Sequence, residues 1–231
     1  ARLVAQVPAG LPTPVTSEPR IGKEFYDSSN YFEAGTDHLI DAESRFQRYR
    51  VQKVLSIHDP TSADQVVDLG CGWGTFGFEL ADRVAGVVGV DFSEKSIEIC
   101  NRRLDSDPRD NLRFVCADGG DTGLHGAAYD VVIAADLFEH LYPDDSEGVA
   151  EEAFRLLKPG GRFSTWTPHR GHFLETLKNC NILLERDVSH VDYKSMERMR
   201  ALLSNQGFEI ERAYYAESHL PVLNLVERLL Q

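Results

Sequence analysis

Three glycines on alternate positions, Gly70, Gly72 and Gly74, directly follow a short apolar run that contains Asp68. A second apolar run ends in Asp91. Glycine lets the backbone approach a ligand where a Cβ atom would collide with it. A carboxylate at the tip of the next strand can accept hydrogen bonds from both hydroxyls of a ribose. These residues and their spacing therefore predict a binding site for a nucleoside cofactor at the carboxyl ends of two strands.

The glycines fit two registers, and each register predicts a different cofactor. Residues 72–77 match G-x-G-x-x-G, the dinucleotide fingerprint in which a helix N-terminus faces a pyrophosphate. The other register runs from Asp68 to Gly74, and it is favoured because the apolar run stops at Leu69. An acid at the strand end would repel a pyrophosphate but suits the sulfonium and ammonium groups of S-adenosylmethionine. S-adenosylmethionine is therefore the favoured cofactor, and NAD is the alternative.

Such a site needs a framework of alternating strands and helices, which hydrophobic periodicity predicts along the middle of the chain. Strands are predicted at residues 65–69, 86–91, 112–116, 129–135 and 161–167, and helices at residues 74–83, 94–105 and 146–157. Ser93 is a candidate N-cap for the second of these helices. Alternation at this spacing predicts a parallel sheet covered by helices on both faces.

The pattern is less regular on either side of this core. Residues 1–19 contain four prolines and are predicted to be an irregular arm. The other flanking elements are an aromatic-rich helical segment at 20–34, a helix at 42–58, a helical insert at 170–186, a helix at 195–206 ended by Gly207, a strand at 208–215 and a helical segment at 220–230. We therefore expect the arm to precede a single domain, residues 20–231, with a lid at 20–58, a cofactor-binding core at 60–167 and a substrate-side insert at 168–195.

Five segments of the chain resemble the motifs of class I S-adenosylmethionine-dependent methyltransferases, in the order of that family. They are residues 66–74, 87–91, 114–118, 129–141 and 156–161. The resemblance is closest to the small-molecule branch that includes ubiquinone-precursor and natural-product or sugar O-methyltransferases. It implies an α/β fold, a Rossmann-like, doubly wound, mostly parallel sheet in three α/β/α layers with an N-terminal helical lid. Because residues 220–230 look helical, the family's last antiparallel strand is expected to be missing or supplied by another segment.

The same resemblance implies which residues would contact S-adenosyl-L-methionine and its product, S-adenosyl-L-homocysteine. The expected set is Asp68, Gly70, Cys71, Gly72, Gly74, Asp91, Phe92, Asp118, Gly119, Asp136, Leu137 and Tyr26. The ring of Tyr26 could attract the sulfonium from the lid, and a position in the core is an equal alternative. Asp136 is expected either to hold the methionine ammonium group or to cap its own loop.

Three histidines are candidates for the base that would assist methyl transfer to a hydroxyl. His140 follows the fourth predicted strand, and His169 follows the fifth. His190 resembles a histidine that small-molecule members carry between the insert and the next helix. The alternative for each of them is a purely structural role. No metal site is predicted, because we see no convincing set of Asp and Asn ligands and the four cysteines lack C-x-x-C spacing.

Composition restricts the partners and the compartment. The net charge of −13 argues against a nucleic-acid substrate, since phosphate contacts need clustered Lys and Arg. One basic cluster exists, Arg45, Arg48, Arg50 and Lys53, and it is interpreted as solvated surface. No apolar stretch approaches the roughly 20 residues that span a bilayer. Free thiols and the lack of a visible signal peptide favour the cytoplasm, although the chain begins with Ala1 and its natural start could lie upstream.

The expected activity is O-methylation of a small hydroxylated molecule, such as a phenol or quinol, a sugar or a natural product. N- or C-methylation, including methylation of a protein side chain, is one alternative, and a non-catalytic cofactor-binding module is another. The signature Asn/Asp-Pro-Pro-Tyr does not follow the fourth strand, which weighs against N-methylation of amides or nucleobases. The Pro-rich arm and the apolar C-terminal segment could both serve a homodimer.

Overall fold

The structure, a computed structural model, describes residues 20–28, 44–57, 60–168 and 187–216 of the chain. Their helices are α1 (Lys23–Ser28), α2 (Arg45–Ile57), α3 (Thr75–Ala81), α4 (Glu94–Ser106), α5 (Pro143–Leu156) and α6 (Met196–Asn205). Their strands are β1 (Gln65–Leu69), β2 (Gly86–Asp91), β3 (Leu112–Cys116), β4 (Tyr129–Ala135) and β5 (Leu157–Trp166), and a 3₁₀ turn covers Phe138–His140.

The five strands form one sheet in the order β3-β2-β1-β4-β5, and every neighbouring pair is parallel. The first strand, β1, lies in the middle of the sheet. Strands β2 and β3 follow on one side of it, and β4 and β5 lie on the other side. This confirms the predicted doubly wound fold. The order reverses between β1 and β4, and the crevice at such a reversal is where open α/β sheets bind ligands.

Alternating side chains of the strands build a core on each face of the sheet. On one face Val66, Val87 and Val131 pack with residues of α2 and α3, such as Val54 and Leu80. On the other face the next residue of each strand, Val67, Val88 and Val132, packs with residues of α5 and α6, such as Leu156 and Met199. This period of two follows from the pleat of a strand. It places helices on both faces and confirms the three-layer arrangement.

The helix ends follow capping chemistry. The Oγ atom of Ser93 accepts a 3.2 Å hydrogen bond from the backbone nitrogen of Ser96, which confirms Ser93 as the N-cap of α4. Helix α5 begins three residues earlier than predicted, because Pro143 occupies its first turn, where a missing N–H costs nothing. Helix α6 ends as predicted, with Gly207 at a φ of 97° and its nitrogen bonded to the carbonyl of Ser204.

The prediction of a strand at residues 208–215 is wrong, since residues 208–216 have no regular secondary structure. Phe208 instead packs its ring 5.2 Å from Phe154 and 5.4 Å from Phe163. Arg212 donates a hydrogen bond of 3.2 Å to the carbonyl of Ser56. Phe208 is thus held by side-chain packing on α5 and β5, and Arg212 by a contact with α2. Strand β5 forms its ladder with β4, and no strand in the described part of the chain pairs with residues 208–216.

Several predictions fall outside the described residues: the irregular arm, the second part of the aromatic segment at 20–34 (residues 29–34), the helical insert at 170–186 and the helical segment at 220–230. The proposed domain boundaries remain predictions. Within the described ranges, the chain has no helix with both the length and the apolar character needed to cross a bilayer.

Candidate active site

The glycine-rich loop between β1 and α3 lies at the reversal of strand order. Gly70, Gly72 and Gly74 all adopt positive φ angles, 69°, 50° and 73°. The backbone nitrogens of Gly70 and Cys71 both donate to the carbonyl of Val90, at 2.8 and 3.0 Å. The loop is thus attached to the end of β2 by backbone hydrogen bonds. Its repeated left-handed turns require glycine, as the sequence predicts.

Asp91 joins the end of β2 to the same loop. Its Oδ2 atom accepts a 2.9 Å hydrogen bond from the nitrogen of Gly72, and its Oδ1 atom accepts one of 3.0 Å from Ser93. Burial raises the pKa of the Asp91 carboxyl, and these backbone hydrogen bonds oppose that shift. Each carboxylate oxygen can accept a second hydrogen bond. The predicted ribose contact is therefore compatible with the loop tether and remains a prediction.

Asp68 is a buried acid on β1. Its side chain is almost fully enclosed, and its Oδ2 atom has no hydrogen-bond partner among the residues that the structure describes. Burial raises the pKa of Asp68 to about 7, while the Arg50 guanidinium lowers it and Asp91 raises it further. A buried carboxyl without a partner is costly unless something compensates it. The geometry suits a cation that arrives with a ligand.

Asp136, the residue after β4, forms an ion pair with Arg50 of α2. Arg50 also donates a 3.2 Å hydrogen bond to the carbonyl of Ala135, and its guanidinium lies 4.9 Å from the ring centroid of Phe76. Only 13% of the Arg50 side chain is exposed. The interpretation of Arg50 as solvated surface is therefore wrong. Arg50 stands four residues before the buried Val54 on α2, a spacing that could have indicated its inward orientation.

Asp136 has a φ of 53°, a value that few residues other than glycine adopt. Its backbone nitrogen donates a 2.8 Å hydrogen bond to the carbonyl of Trp166. The next residue, Leu137, covers the glycine loop so closely that a Cβ atom on Gly70 would lie 2.8 Å from its Cδ1 atom. The loop after β4 thus packs directly on the loop after β1.

The short helix α1 brings Tyr26 to the same crevice. The Tyr26 ring lies 5.3 Å from Phe92, and the hydroxyl oxygen lies 3.2 Å from Nδ1 of His140. Burial raises the pKa of the Tyr26 phenol. Lys23 and Asp27 hold α1 in place through Glu94 and Ser93, with contacts of 2.6 and 2.7 Å. Tyr26 is thus buried in a small aromatic cluster at the entrance to the site.

His140 and His190, two of the three predicted catalytic histidines, lie together. Their ring centroids are 4.8 Å apart. The Nδ1 atom of His140 lies 3.1 Å from the carbonyl oxygen of Ser189. Burial lowers the pKa of His140 to about 4, and His190 adds to that shift. His190 places Nδ1 at 2.8 Å from the hydroxyl of Tyr193, and Nε2 at 3.6 Å from Asp187.

Glu139 completes this cluster. Its place in the site was not predicted from the sequence. The side chain is almost fully buried, and its Oε2 atom accepts a 2.9 Å hydrogen bond from Thr167. Burial raises the pKa of Glu139 well above its usual range, and Asp136 acts in the same direction. Glu139, His140 and His190 each offer one ligand atom, all within 4.8 Å of one another, so the group could hold a metal ion.

Lys194 links the segment that contains His140 to the segment that contains His190. Its buried ammonium group donates to the carbonyls of Phe138 and Leu141, at 2.6 and 2.9 Å, and to that of Asp192 at 3.2 Å. The first two carbonyls flank His140, and the third follows His190. Lys194 was not anticipated either, because a lysine in a polar segment gives no signal of burial.

The remaining predicted residues differ in their surroundings. Cys71 is buried in the glycine loop, where burial raises the pKa of its thiol. Asp118 is exposed after β3, and its Oδ1 atom accepts a 2.7 Å hydrogen bond from Gly120. Gly119 lies beside Val149 of α5. His169 lies outside the described residues. The cofactor contacts of all these residues stay predictions.

Comparison with known families identifies the core of the chain. A family described as "Methyltransferase domain" matches residues 66–161. This range contains β2, β3 and β4 in full, all of β1 except Gln65, and β5 as far as Gly161.

Two curated relatives extend this result. A Mycolicibacterium smegmatis protein named "Probable S-adenosylmethionine-dependent methyltransferase" is 29% identical over 174 residues, covering 75% of this chain and 62% of that protein. A "Ubiquinone biosynthesis O-methyltransferase" of Thiobacillus denitrificans is 32% identical over 129 residues, covering 54% of each chain. The present chain thus spans less than two thirds of the length of these relatives.

A solved structure shares the fold. Phosphoethanolamine N-methyltransferase 2 from Haemonchus contortus, determined in complex with S-adenosyl-L-methionine, superposes with a TM-score of 0.61 at 19% identity. The match covers 80% of this chain and 44% of that chain.

Proposed function

We propose that this chain, a member of the class I S-adenosylmethionine-dependent methyltransferases, transfers the methyl group of that cofactor to a hydroxyl oxygen of a small molecule. The cofactor would lie over the glycine loop, in the crevice between β1 and β4. Its methionine ammonium group would lie at Asp68, and its ribose at Asp91. The buried, unpartnered oxygen of Asp68 supports the first contact.

The acceptor would lie at the cluster of Glu139, His140 and His190, which follows β4. The single observation that carries this proposal is the meeting of two distant histidines, with ring centroids 4.8 Å apart, next to the loop that covers the glycines. Such a cluster can orient a hydroxyl and receive its proton. An oxygen acceptor agrees with the name of the Thiobacillus denitrificans relative, a ubiquinone biosynthesis O-methyltransferase.

Two groups lie beside Nδ1 of His140, the carbonyl of Ser189 at 3.1 Å and the hydroxyl of Tyr26 at 3.2 Å. We assign the hydrogen of the ring from the carbonyl, and the Tyr26 hydroxyl would then act as a second acceptor. A carbonyl oxygen only accepts hydrogen bonds, so Nδ1 carries the hydrogen of the neutral ring when it bonds to Ser189. The lone pair then lies on Nε2. In the proposed reaction the hydroxyl proton passes to Nε2, the oxygen attacks the methyl carbon, and the carbon–sulfur bond breaks. Its electron pair stays on sulfur, which gives neutral S-adenosyl-L-homocysteine.

The test is a methylation assay with the purified protein and S-adenosyl-L-methionine. A panel of catechols, hydroquinones and hydroxylated sugars is offered beside a matched panel of amines, and products are identified by mass spectrometry. We expect a product methylated on oxygen. We also expect His140→Gln to reduce turnover at least about tenfold, the scale of lost general-base catalysis. The matched control is His125→Gln, since His125 is exposed and lies outside the cluster.

Other outcomes would contradict the proposal in distinguishable ways. Methylation confined to the amines would replace oxygen by nitrogen as the acceptor atom. Binding of S-adenosyl-L-homocysteine without transfer to any compound would favour a non-catalytic cofactor-binding module. Equal losses in the two histidine variants would show that His140 has no special part in the reaction.

A further inference from the structure

We propose that Glu139, His140 and His190 form a binding site for a divalent transition-metal ion. One atom of each side chain lies within 4.8 Å of the others, so small side-chain movements would bring all three to about 2.0–2.2 Å from a single ion. One carboxylate oxygen and two imidazole nitrogens are a common donor set for zinc, and for manganese, iron and cobalt. The set is poor in oxygen, so magnesium and calcium, which prefer oxygen ligands, would bind more weakly.

The Oε1 atom of Glu139 gives independent support. The residue is 1% exposed, and Oε1 has no hydrogen-bond partner among the described residues, while Oε2 accepts from Thr167. Within the described part of the chain, the two cationic side chains that interact with Glu139 have other partners. Arg50 pairs with Asp136, and the ammonium group of Lys194 donates to backbone carbonyls. A metal ion would compensate a carboxylate oxygen that the described residues leave without a partner.

The hydrogen-bond partners of the two histidines bear on their role as ligands, and those of His140 match the usual arrangement. Metal-binding histidines typically bond their second ring nitrogen to a carbonyl, a carboxylate or a water molecule. In His140 the carbonyl of Ser189 lies 3.1 Å from Nδ1, which directs the lone pair to Nε2. In His190 the hydroxyl of Tyr193 lies 2.8 Å from Nδ1, and Nε2 lies 3.6 Å from the carboxylate of Asp187. Nε2 of His190 would exchange its contact with Asp187 for the ion.

Three protein ligands would leave coordination positions open for the methyl acceptor. Such an ion would make a bound hydroxyl lose its proton to the solvent more readily. The oxygen would then attack the methyl carbon as the carbon–sulfur bond breaks and its electron pair stays on sulfur. This part of the inference rests on the proposed methyl transfer, but binding of the ion does not. The ion would then replace His140 as the group that promotes deprotonation, because Nε2 becomes a ligand. Turnover would accordingly depend on the metal.

Cobalt provides the first readout, because its visible absorption reports the coordination directly. The full chain is stripped with a chelator, dialysed and titrated with Co²⁺, and Zn²⁺ binding is measured by calorimetry. We expect one equivalent of each ion. Glu139→Gln and His190→Asn should each weaken binding at least about tenfold, as the loss of one ligand requires. His125→Gln, at an exposed histidine, should bind like the wild type.

Calorimetry with S-adenosyl-L-homocysteine on the same samples separates the two proposals. Thermal unfolding shows whether each variant is folded, and two ligand variants are used so that the failure of one does not end the test. A wild-type protein that binds S-adenosyl-L-homocysteine but takes up no cobalt or zinc would overturn the metal site. Equal uptake by all variants would overturn it as well, because the ion would then lie elsewhere. Uptake at the cluster without cofactor binding would uphold the metal site and contradict the cofactor proposal.

Discussion

The Oδ2 atom of Asp91 accepts a 2.9 Å hydrogen bond from the backbone nitrogen of Gly72, which ties the end of β2 to the loop after β1. The carboxyl thus has two tasks in the proposed site, since it would hold the ribose and already fixes the loop. The Oδ1 atom accepts a further hydrogen bond from Ser93, at the N-cap of α4. A change at this residue should therefore affect both the cofactor site and the local structure of the glycine loop.

Asp91→Ala should weaken binding of S-adenosyl-L-homocysteine by about 1–3 kcal/mol, the scale of lost hydrogen bonds to a charged acceptor. The loss combines the ribose contact with the looser glycine loop. Calorimetric titration measures it directly. The control is Asp105→Ala, because Asp105 is an exposed acid on α4. An unchanged affinity in Asp91→Ala would remove Asp91 from the cofactor site.

Gly72 and Gly74 form a matched pair for testing the approach of the cofactor. Both have a left-handed φ, 50° and 73°, so replacing either glycine by alanine should lower the free energy of unfolding by a similar amount, about 1–2 kcal/mol, through the backbone alone. Their surroundings differ. A Cβ atom at Gly72 meets nothing within 4 Å, whereas one at Gly74 would lie 2.8 Å from Phe114.

Gly72→Ala should therefore fold with a modest loss of thermal stability but bind S-adenosyl-L-homocysteine poorly, because its methyl group occupies the space of the ligand. Gly74→Ala should lose more stability, since Phe114 has to move. Thermal unfolding and calorimetry on both variants give the comparison. Normal cofactor affinity in Gly72→Ala would show that this part of the loop does not approach the ligand.

Asp68 predicts a pH dependence of cofactor binding. Its folded pKa of about 7 lies above the usual value near 3.9, so between these values the native protein holds a proton that the unfolded chain has lost. Burial of this acid therefore lowers stability as the pH rises through that window. A cationic ammonium group beside Asp68 favours the ionised form. Cofactor binding should then release a proton, and affinity should increase up to about pH 7 and level off above it.

Calorimetry of S-adenosyl-L-homocysteine from pH 5.5 to 8, in buffers of different ionisation enthalpy, measures both the affinity and the released proton. Asp68→Asn should bind weakly and lose this dependence. A wild-type affinity that stays constant across the range, with no proton released, would place the ammonium group away from Asp68.

Arg50 should lower the pH at which cofactor affinity levels off. Its guanidinium lowers the pKa of Asp68, and it also pairs with Asp136. Arg50→Met keeps much of the side-chain volume and removes the charge. We expect the pH at which cofactor affinity levels off to move upward in this variant. Lys53→Met on the same helix is the control, and an equal shift in both variants would assign the effect to general charge.

The parts of the site that lie close together in sequence could be predicted, and the others could not. Apolar alternation and the spacing of Asp68, Gly70 and Asp91 are local, and they determine the strands and the glycine turns directly. The meeting of His140 with His190 depends on how a distant segment packs on the loop after β4. Periodicity carries no information about that contact.

Burial also explains why Arg50 was interpreted wrongly and why no role was predicted for Glu139. Arg50 belongs to a cluster of basic residues that looks like ordinary surface, and only the packing of α2 against the end of β4 turns it inward. Glu139 is polar by type, yet it is enclosed by the same packing. A single sequence reveals residue type and local period, whereas the partner of a buried charge is chosen by tertiary structure.

Lys194 offers a test of how the cluster is held together. Its ammonium group donates to the carbonyls of Phe138 and Leu141, which lie on either side of His140. Lys194→Met leaves these acceptors without their donor, at a cost of about 1–3 kcal/mol for a buried polar group. We expect lower thermal stability and lower turnover, with unchanged affinity for S-adenosyl-L-homocysteine, because the glycine loop is not touched. Lys158→Met is the matched control, since Lys158 pairs with Asp130 at a side chain that is 42% exposed, where ion pairs contribute about 0–1 kcal/mol. Equal losses of stability in the two variants would show that the carbonyls around His140 do not depend on Lys194.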